Sequence, residues 1–385
     1  MTNISRRGAL ALGLAGIAAA PEALAARPGS LNALAAAKGM RFGTAVGVGS
    51  AGPEGAGRDI GGPFADPTYR RLIADECGVI VPENELKWYA LRPDAKTYAF
   101  ERADALAAFA KANGMGLRGH TLLWHHPRWM PKWTETYDYG PNPAAEVRRL
   151  LTEHVRTVTA RYPQIHSWDV VNETVDHTTG ELRETAFSRH VGKQEIVDLA
   201  FVAAREAMPR TELVYNDYMS WEGTPEKEKH RAGVLRLLEG FRKRGVPVDT
   251  LGVQAHIGSV GTGESTGFAR PDLAAWRRFL DEVTGMGYGL VITEFDVNDK
   301  PLAADIPSRD AEVARLTREY LDVILSYRQL KEVLVWGLAD KYSWLQGTSP
   351  RPDNLPKRPT PFDDAFRPKP MRDAIAAAFK AAPAR

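Results

Sequence analysis

Eight short apolar runs rich in β-branched residues recur along the chain, each separated from the next by a longer amphipathic stretch. The runs lie at 41–46, 78–82, 115–119, 166–171, 212–216, 250–255, 289–293 and 332–336. The amphipathic stretches lie at 66–76, 101–113, 143–161, 192–207, 225–244, 270–285, 308–328 and 370–381, the first ahead of the second run and the last near the chain end. Runs that are apolar almost throughout are strands buried on both faces. Stretches of period 3.6 between them are the helices that cover those faces, so the sheet is parallel. Eight such units fit an α/β fold of one kind, a single-domain (β/α)8 TIM barrel. A doubly wound sheet is the competing architecture. No Pro/Ser/Thr linker divides the alternation, so one domain is expected over 26–385, with the Pro-rich stretch 348–370 as a long loop.

Residues 1–25 stand apart. Ser5-Arg6-Arg7 precedes a Gly/Ala-rich apolar run from Gly8 to Ala20, and Ala23-Leu24-Ala25 has the small residues of a cleavage site. This is the pattern of a twin-arginine export signal peptide. The run is shorter than the ~18–20 residues that span a bilayer. The expectation is an exported protein, periplasmic or extracellular, with no membrane association once the signal is removed. Lys and Arg total 50 against 48 Asp and Glu, a net charge of +2. That balance argues against nucleic acid or anionic membrane as a partner held by bulk electrostatics. The one cysteine, Cys77, excludes an intramolecular disulfide and reads as a buried small hydrophobe. A monomer is expected.

Two motifs invite functions that their surroundings refuse. Gly47-Val48-Gly49-Ser50-Ala51-Gly52 has dinucleotide-binding spacing, but Pro53 and Gly55 follow where a helix must start. Gly263-Glu264-Ser265-Thr266-Gly267 has the spacing of an esterase nucleophile, yet the last histidine of the chain is His256, upstream of it. There is no H-E-x-x-H, and no metal or other cofactor is expected.

In a barrel, chemistry belongs to the C-terminal strand ends. Glu173 and Glu294 each end an apolar run, on the fourth and seventh strands. A carboxylate there is partly desolvated and must be hydrogen-bonded or functional. Strands four and seven face each other across the mouth, and two carboxylates on opposite sides of a cleft suit glycoside hydrolysis. Glu294 and Asp296 share a strand face, with His256 on the neighbouring strand. A Glu294–His256–Asp296 chain keeps Glu294 ionised, as a nucleophile requires. Glu173 has no adjacent cation in sequence. Aromatic walls and the charge of Glu294 can raise its pKa, which makes it the general acid.

The strand-end motifs together resemble family 10 glycoside hydrolases, the retaining endo-β-1,4-xylanases. They are Glu83-Asn84-Glu85-Leu86-Lys87-Trp88, His120-Thr121-Leu122-Leu123-Trp124-His125, Trp168-Asp169-Val170-Val171-Asn172-Glu173, Tyr215-Asn216-Asp217-Tyr218, Gln254-Ala255-His256, Ile292-Thr293-Glu294-Phe295-Asp296 and Trp336-Gly337 with Tyr342-Ser343-Trp344. The resemblance covers about residues 33–382. It implies Glu173 as acid/base, Glu294 as nucleophile, support from His256, Asp296 and Asn172, no cofactor, and xylan or xylo-oligosaccharides as substrate. It also implies sugar contacts from Glu83, Asn84, Lys87, His120, Trp124, Tyr218, Gln254, Trp336 and Trp344, with Asn172 at the 2-hydroxyl. A barrel hydrolase acting on a β-1,4-glucan and a non-catalytic glycan-binding barrel are the alternatives. Family members often read Trp-His-Ser/Asn-Gln-x-Pro after strand three. Here Trp124-His125-His126-Pro127-Arg128 is shorter and lacks the Gln, leaving His126 or Arg128 as candidates to replace it. Trp276 reads as helix core, and Trp129, Trp133 and Trp221 as candidate rim residues, so most of the nine tryptophans are expected at a sugar-binding surface.

Overall fold

The computed structural model describes residues 27–49, 61–259, 267–348 and 350–385. The export-signal stretch lies outside the described residues, as do Ser50–Gly52 and Gly263–Thr266 of the two rejected motifs.

Eight strands form the centre: β1 (Arg41–Val46), β2 (Val79–Pro82), β3 (Gly116–Trp124), β4 (Ser167–Asn172), β5 (Glu212–Asp217), β6 (Thr250–Val253), β7 (Gly289–Val297) and β8 (Leu330–Val335). Each pairs in parallel with the next. β8 returns to β1, with Phe42 opposite Val333. The sheet is therefore closed, which gives the (β/α)8 barrel and excludes the doubly wound alternative.

The covering helices are α1 (Pro67–Glu76), α2 (Glu101–Ala112), α3 (Pro143–Arg161), α4 (Lys193–Ala207), α5 (Pro225–Arg244), α6 (Leu273–Gly285), α7 (Ile306–Ile324) and α8 (Pro370–Ala381). Local chemistry fixes many of their starts. Side chains of Asp66, Asn142, Thr224, Asp272 and Asp305 accept a first-turn N–H. Proline takes the first or second position of α1, α3, α5, α7 and α8, where a missing N–H costs nothing.

The main core lies between strands and helices. A second apolar group, including Ala45, Val81, Val214, Val291 and Leu334, fills the barrel beneath Trp336. Arg118 is buried inside the barrel and bonds Asp169 at 2.7 Å. Among the described residues, no helix is long and apolar enough to cross a membrane. Cys77 is buried, as expected.

The strand ends differ from the sequence reading. β3 and β7 run on to Trp124 and Val297, because residues past the apolar runs stay in the ladder: Trp124 opposes Asn172 and Phe295 opposes Val335. β6 stops early, at Val253. Ala255 takes a left-handed φ of 62°, and pairing resumes as His256–Ile257 against Asp296–Val297.

The tryptophans also divide differently. Trp88, Trp168, Trp221 and Trp276 are all buried in the core. Trp221, a candidate rim residue, instead packs edge-on against Tyr320 at 5.2 Å. Trp168 fills the space beside Gly119, where a Cβ would stand 2.1 Å from the indole. Four of the nine tryptophans are therefore core, where Trp276 alone was expected.

Candidate active site

Glu173 follows β4, and its N–H donates to the Asn216 carbonyl at the end of β5, at 3.0 Å. Its side chain is buried against the mouth. Oε1 accepts from Gln254 Nε2 at 2.8 Å and from Asn172 Nδ2 at 3.3 Å; Oε2 accepts from Trp124 Nε1 at 3.0 Å. Two donors saturate Oε1, so the proton of the neutral acid belongs on Oε2. Burial pushes the Glu173 pKa up to about 7, and the charge of Glu294 adds to the rise; the bonds from Gln254 and Trp124 oppose it.

Glu294 stands on β7. Its Oε1 accepts from Asn216 Nδ2 at 2.8 Å and its Oε2 from His256 Nε2 at 3.2 Å. His256 Nδ1 lies 2.9 Å from Asp296 Oδ1, and Asp296 Oδ2 accepts from Trp344 Nε1 at 2.8 Å. Burial alone would lower the His256 pKa, but Asp296 and Glu294 outweigh it and raise it to about 10. The imidazole is thus doubly protonated at neutral pH and donates to both carboxylates. Burial works against the charged form of Glu294 too. The His256 hydrogen bond, with His120 and Lys87 nearby, still holds its pKa below the usual carboxylate value.

Asn216 links the two glutamates. Its Oδ1 accepts from Thr293 Oγ1 at 2.7 Å, which turns Nδ2 toward Glu294 and toward Asn172 Oδ1, 2.9 Å away. Gly252 makes this arrangement fit, since a Cβ there would stand 2.4 Å from Asn216 Oδ1.

Around this pair the β2 segment contributes Lys87, whose Nζ lies 4.5 Å from the Trp124 ring, 5.8 Å from the Trp336 ring and 3.2 Å from Asn84 Oδ1. Glu83 is half-buried, and burial with the charge of Glu85 pushes its pKa up to about 7. His120 Nδ1 lies 2.9 Å from Asp169 Oδ2, and its ring meets Trp336 edge-on at 5.3 Å. The Trp344 ring is 4.9 Å from His256. Tyr218 is placed differently. It is buried, and its hydroxyl is engaged by Arg183 Nη2 at 2.7 Å and His177 Nδ1 at 3.0 Å. Among the described residues, no group of three or more His, Cys, Asp or Glu is placed to hold a metal ion.

Sequence reasoning passed over Asn216, Asp169 and Arg183. Asn216 and Asp169 lie inside motifs already noted at strand ends, a signal that was available. Arg183 lies in a loop. Trp129, a candidate rim residue, stacks on Trp124 with ring centroids 4.8 Å apart.

The sequence model described as Glycosyl hydrolase family 10 matches residues 30–378. The chain belongs to this family. Endo-1,4-beta-xylanase 3 of Hypocrea jecorina is 34% identical over 308 residues, 79% of this chain and 76% of its own. The native xylanase 10B of Thermotoga maritima has the same fold, with a TM-score of 0.76 at 28% identity over 91% of this chain and 98% of that one. Xylanase 10B of Thermotoga petrophila RKU-1, solved in complex with xylobiose, gives 0.75 at 28% identity over 91% and 97%.

The loop after Trp124 carries His126 and Arg128. His126 Nδ1 accepts the Arg128 N–H at 3.1 Å, so in the neutral ring Nε2 carries the proton. Burial and the charges of Arg183 and Arg128 lower the His126 pKa to about 4. The Arg128 guanidinium lies over the Trp129 ring, 4.8 Å from its centre.

Proposed function

We propose that the protein is an endo-β-1,4-xylanase that cleaves internal xylosidic bonds of xylan and xylo-oligosaccharides by double displacement with retention. The carrying observation is the pair of buried carboxylates on β4 and β7, which their surroundings drive to opposite protonation states. In the first step the Glu294 carboxylate attacks the anomeric carbon while the Oε2 proton of Glu173 passes to the glycosidic oxygen. The C–O bond breaks, the leaving sugar departs with that proton, and Glu294 becomes a glycosyl ester. In the second step Glu173, now ionised, takes a proton from water, and the water oxygen displaces Glu294 from the anomeric carbon. Glu83, Asn84, Lys87, His120, Asn172 and Gln254 supply hydrogen-bonding groups for sugar hydroxyls. Trp124, Trp336 and Trp344 supply flat faces for pyranose rings.

Proton NMR of the first-formed anomer from a xylo-oligosaccharide tests the mechanism. A β-product is expected, with a carboxyl separation of about 5–5.5 Å; an α-product means inversion and overturns the reading. The endo-xylanase names of the relatives support the choice of substrate. Faster release of reducing sugar from carboxymethyl cellulose than from xylan would overturn it.

Export of the chain by its twin-arginine signal belongs to the same proposal, supported by Arg6-Arg7 and the apolar run behind them. Replacing both arginines by lysine should leave the enzyme inside the cell, and continued export sinks the idea. A monomeric enzyme is also proposed, since one chain supplies both glutamates and their hydrogen-bond partners. Sedimentation at a dimer's mass would refute it.

A further inference from the structure

Glu173 takes a left-handed φ of +54°, a conformation that side chains other than glycine rarely adopt. The peptide on its C-terminal side is held by a residue that has no part in the chemistry described above. Arg183 Nε donates to the Glu173 carbonyl at 3.2 Å. Its other two nitrogens are fixed as well, Nη1 on Asp176 at 2.9 Å and Nη2 on the Tyr218 hydroxyl at 2.7 Å. The Arg183 N–H donates to the Thr174 carbonyl at 2.8 Å. One guanidinium therefore ties three partners together: the main chain of Glu173, the acidic side chain of the loop that follows, and the end of β5. A planar fork with directed donors suits this task better than an ammonium point charge.

We propose that Arg183 is a positioning residue for the acid/base, pinning the Glu173 peptide so that the carboxyl meets the scissile oxygen at one fixed angle. Arg183 does not touch that carboxyl; its bond is to the carbonyl. Both half-reactions use the same spot. The proton leaves Glu173 toward the glycosidic oxygen and later returns to it from water, so a carboxyl that swings loose slows both. A displacement of 1 Å at a reacting group can cost roughly a hundredfold in rate. Tyr218 anchors the far end of the clamp, which gives its buried hydroxyl a purpose other than sugar contact. Arg183 is 10% exposed at the side chain, so its geometry is held by the protein and not by solvent.

The inference rests on Glu173 being the acid/base, and the test separates the two. Arg183→Met, Arg183→Lys, Tyr218→Phe and Glu173→Ala are compared with wild type on two aryl xylobiosides, one with a dinitrophenol leaving group and one with phenol. Dinitrophenolate departs without protonation, so loss of a well-aimed acid spares the first step on that substrate, which kcat/KM reads. Arg183→Met should keep kcat/KM on the dinitrophenyl substrate within about threefold of wild type and lose about tenfold to a hundredfold in kcat/KM on the phenyl substrate, while kcat on the dinitrophenyl substrate falls because the water step still needs the base. Arg183→Lys should recover part of the loss, and Tyr218→Phe should show a smaller loss of the same kind. Equal losses of kcat/KM on the two substrates, or no loss on either, overturn the proposal. If Arg183→Met does not fold, the same comparison on Arg183→Lys and Tyr218→Phe decides it by the same outcomes. If Glu173→Ala itself shows no dependence on leaving group, the acid/base reading fails. If Glu173→Ala shows that dependence and the Arg183 variants do not, the clamp alone fails.

Discussion

Glu173 keeps its proton up to about pH 7 because burial outweighs the bonds from Gln254 and Trp124. Glu294, equally buried, loses its proton early because His256 donates to it. Activity needs the first protonated and the second ionised. The rate should therefore fall above pH 7, about tenfold per unit, and fall again only well into the acid range. A kcat/KM profile against pH checks this; a profile flat from pH 6 to 9 contradicts it. His256→Ala removes the donor that keeps Glu294 ionised, so its acid limb should move up in pH. The two glutamates should also separate by chemical rescue. Glu294→Ala should lose about 10⁴-fold or more in kcat, and added azide should not restore activity with retained stereochemistry. Glu173→Ala should still turn over substrates with good leaving groups, and azide should trap its glycosyl-enzyme as the β-azide. Exchanged phenotypes would show that the two roles are reversed.

The segments after the strands set these side chains in place, and the long one between β8 and α8 is the least regular. It carries Trp344, whose indole holds Asp296. Inside it, buried Asp340 accepts from Lys369 Nζ at 3.0 Å and from Thr360 Oγ1 at 2.8 Å. Burial raises the Asp340 pKa to about 6 against the pull of Lys369. Lys369→Met should leave that carboxylate with Arg358 Nη1, 3.8 Å away, as its remaining counter-charge and cost up to about 3 kcal/mol, read by urea unfolding at pH 8. The cost should shrink at pH 5, where Asp340 is protonated; an equal loss at both pH values would mean that packing, not charge, is what Lys369 supplies. The bounds of α3, α5 and α8 could be read from sequence to the residue, because proline marks each start. The C-terminal ends of β3 and β7 could not, since polar residues, His120-Thr121 and Glu294, interrupt the apolar runs yet stay buried in the strand. Site residues at strand ends were legible for a related reason: polar groups stand out against an apolar run. Asn216 was overlooked because its importance lies in the direction of one amide, and Arg183 because a loop brings it back ten residues later. Trp221 was misplaced because a position beyond a strand does not say whether another helix covers it.

For the molecule as a whole, the buried acid is a burden on stability. A carboxyl whose pKa is raised on folding binds its proton more tightly when folded. Its contribution is fully present below about pH 4.5 and is lost as pH rises through about 7. Charging Glu173 thus costs the folded state up to roughly 3 kcal/mol at pH 8, at about 1.4 kcal/mol per pKa unit. Glu173→Gln should raise Tm at pH 8 and change it little at pH 4; no gain at pH 8 would show that surrounding water already pays the charge. The separation of the tryptophans adds an optical consequence. Trp88, Trp168, Trp221 and Trp276 emit from a dry interior that sugar does not reach. Trp124, Trp336 and Trp344 sit beside the Lys87 ammonium or the His256 imidazolium, and a charged imidazole is an efficient quencher of indole emission. Xylo-oligosaccharide titration should therefore change the intensity of a subset of the fluorescence while a blue-shifted remainder holds constant. That remainder should shift to red only when the barrel opens, so one spectrum reports occupancy and unfolding separately.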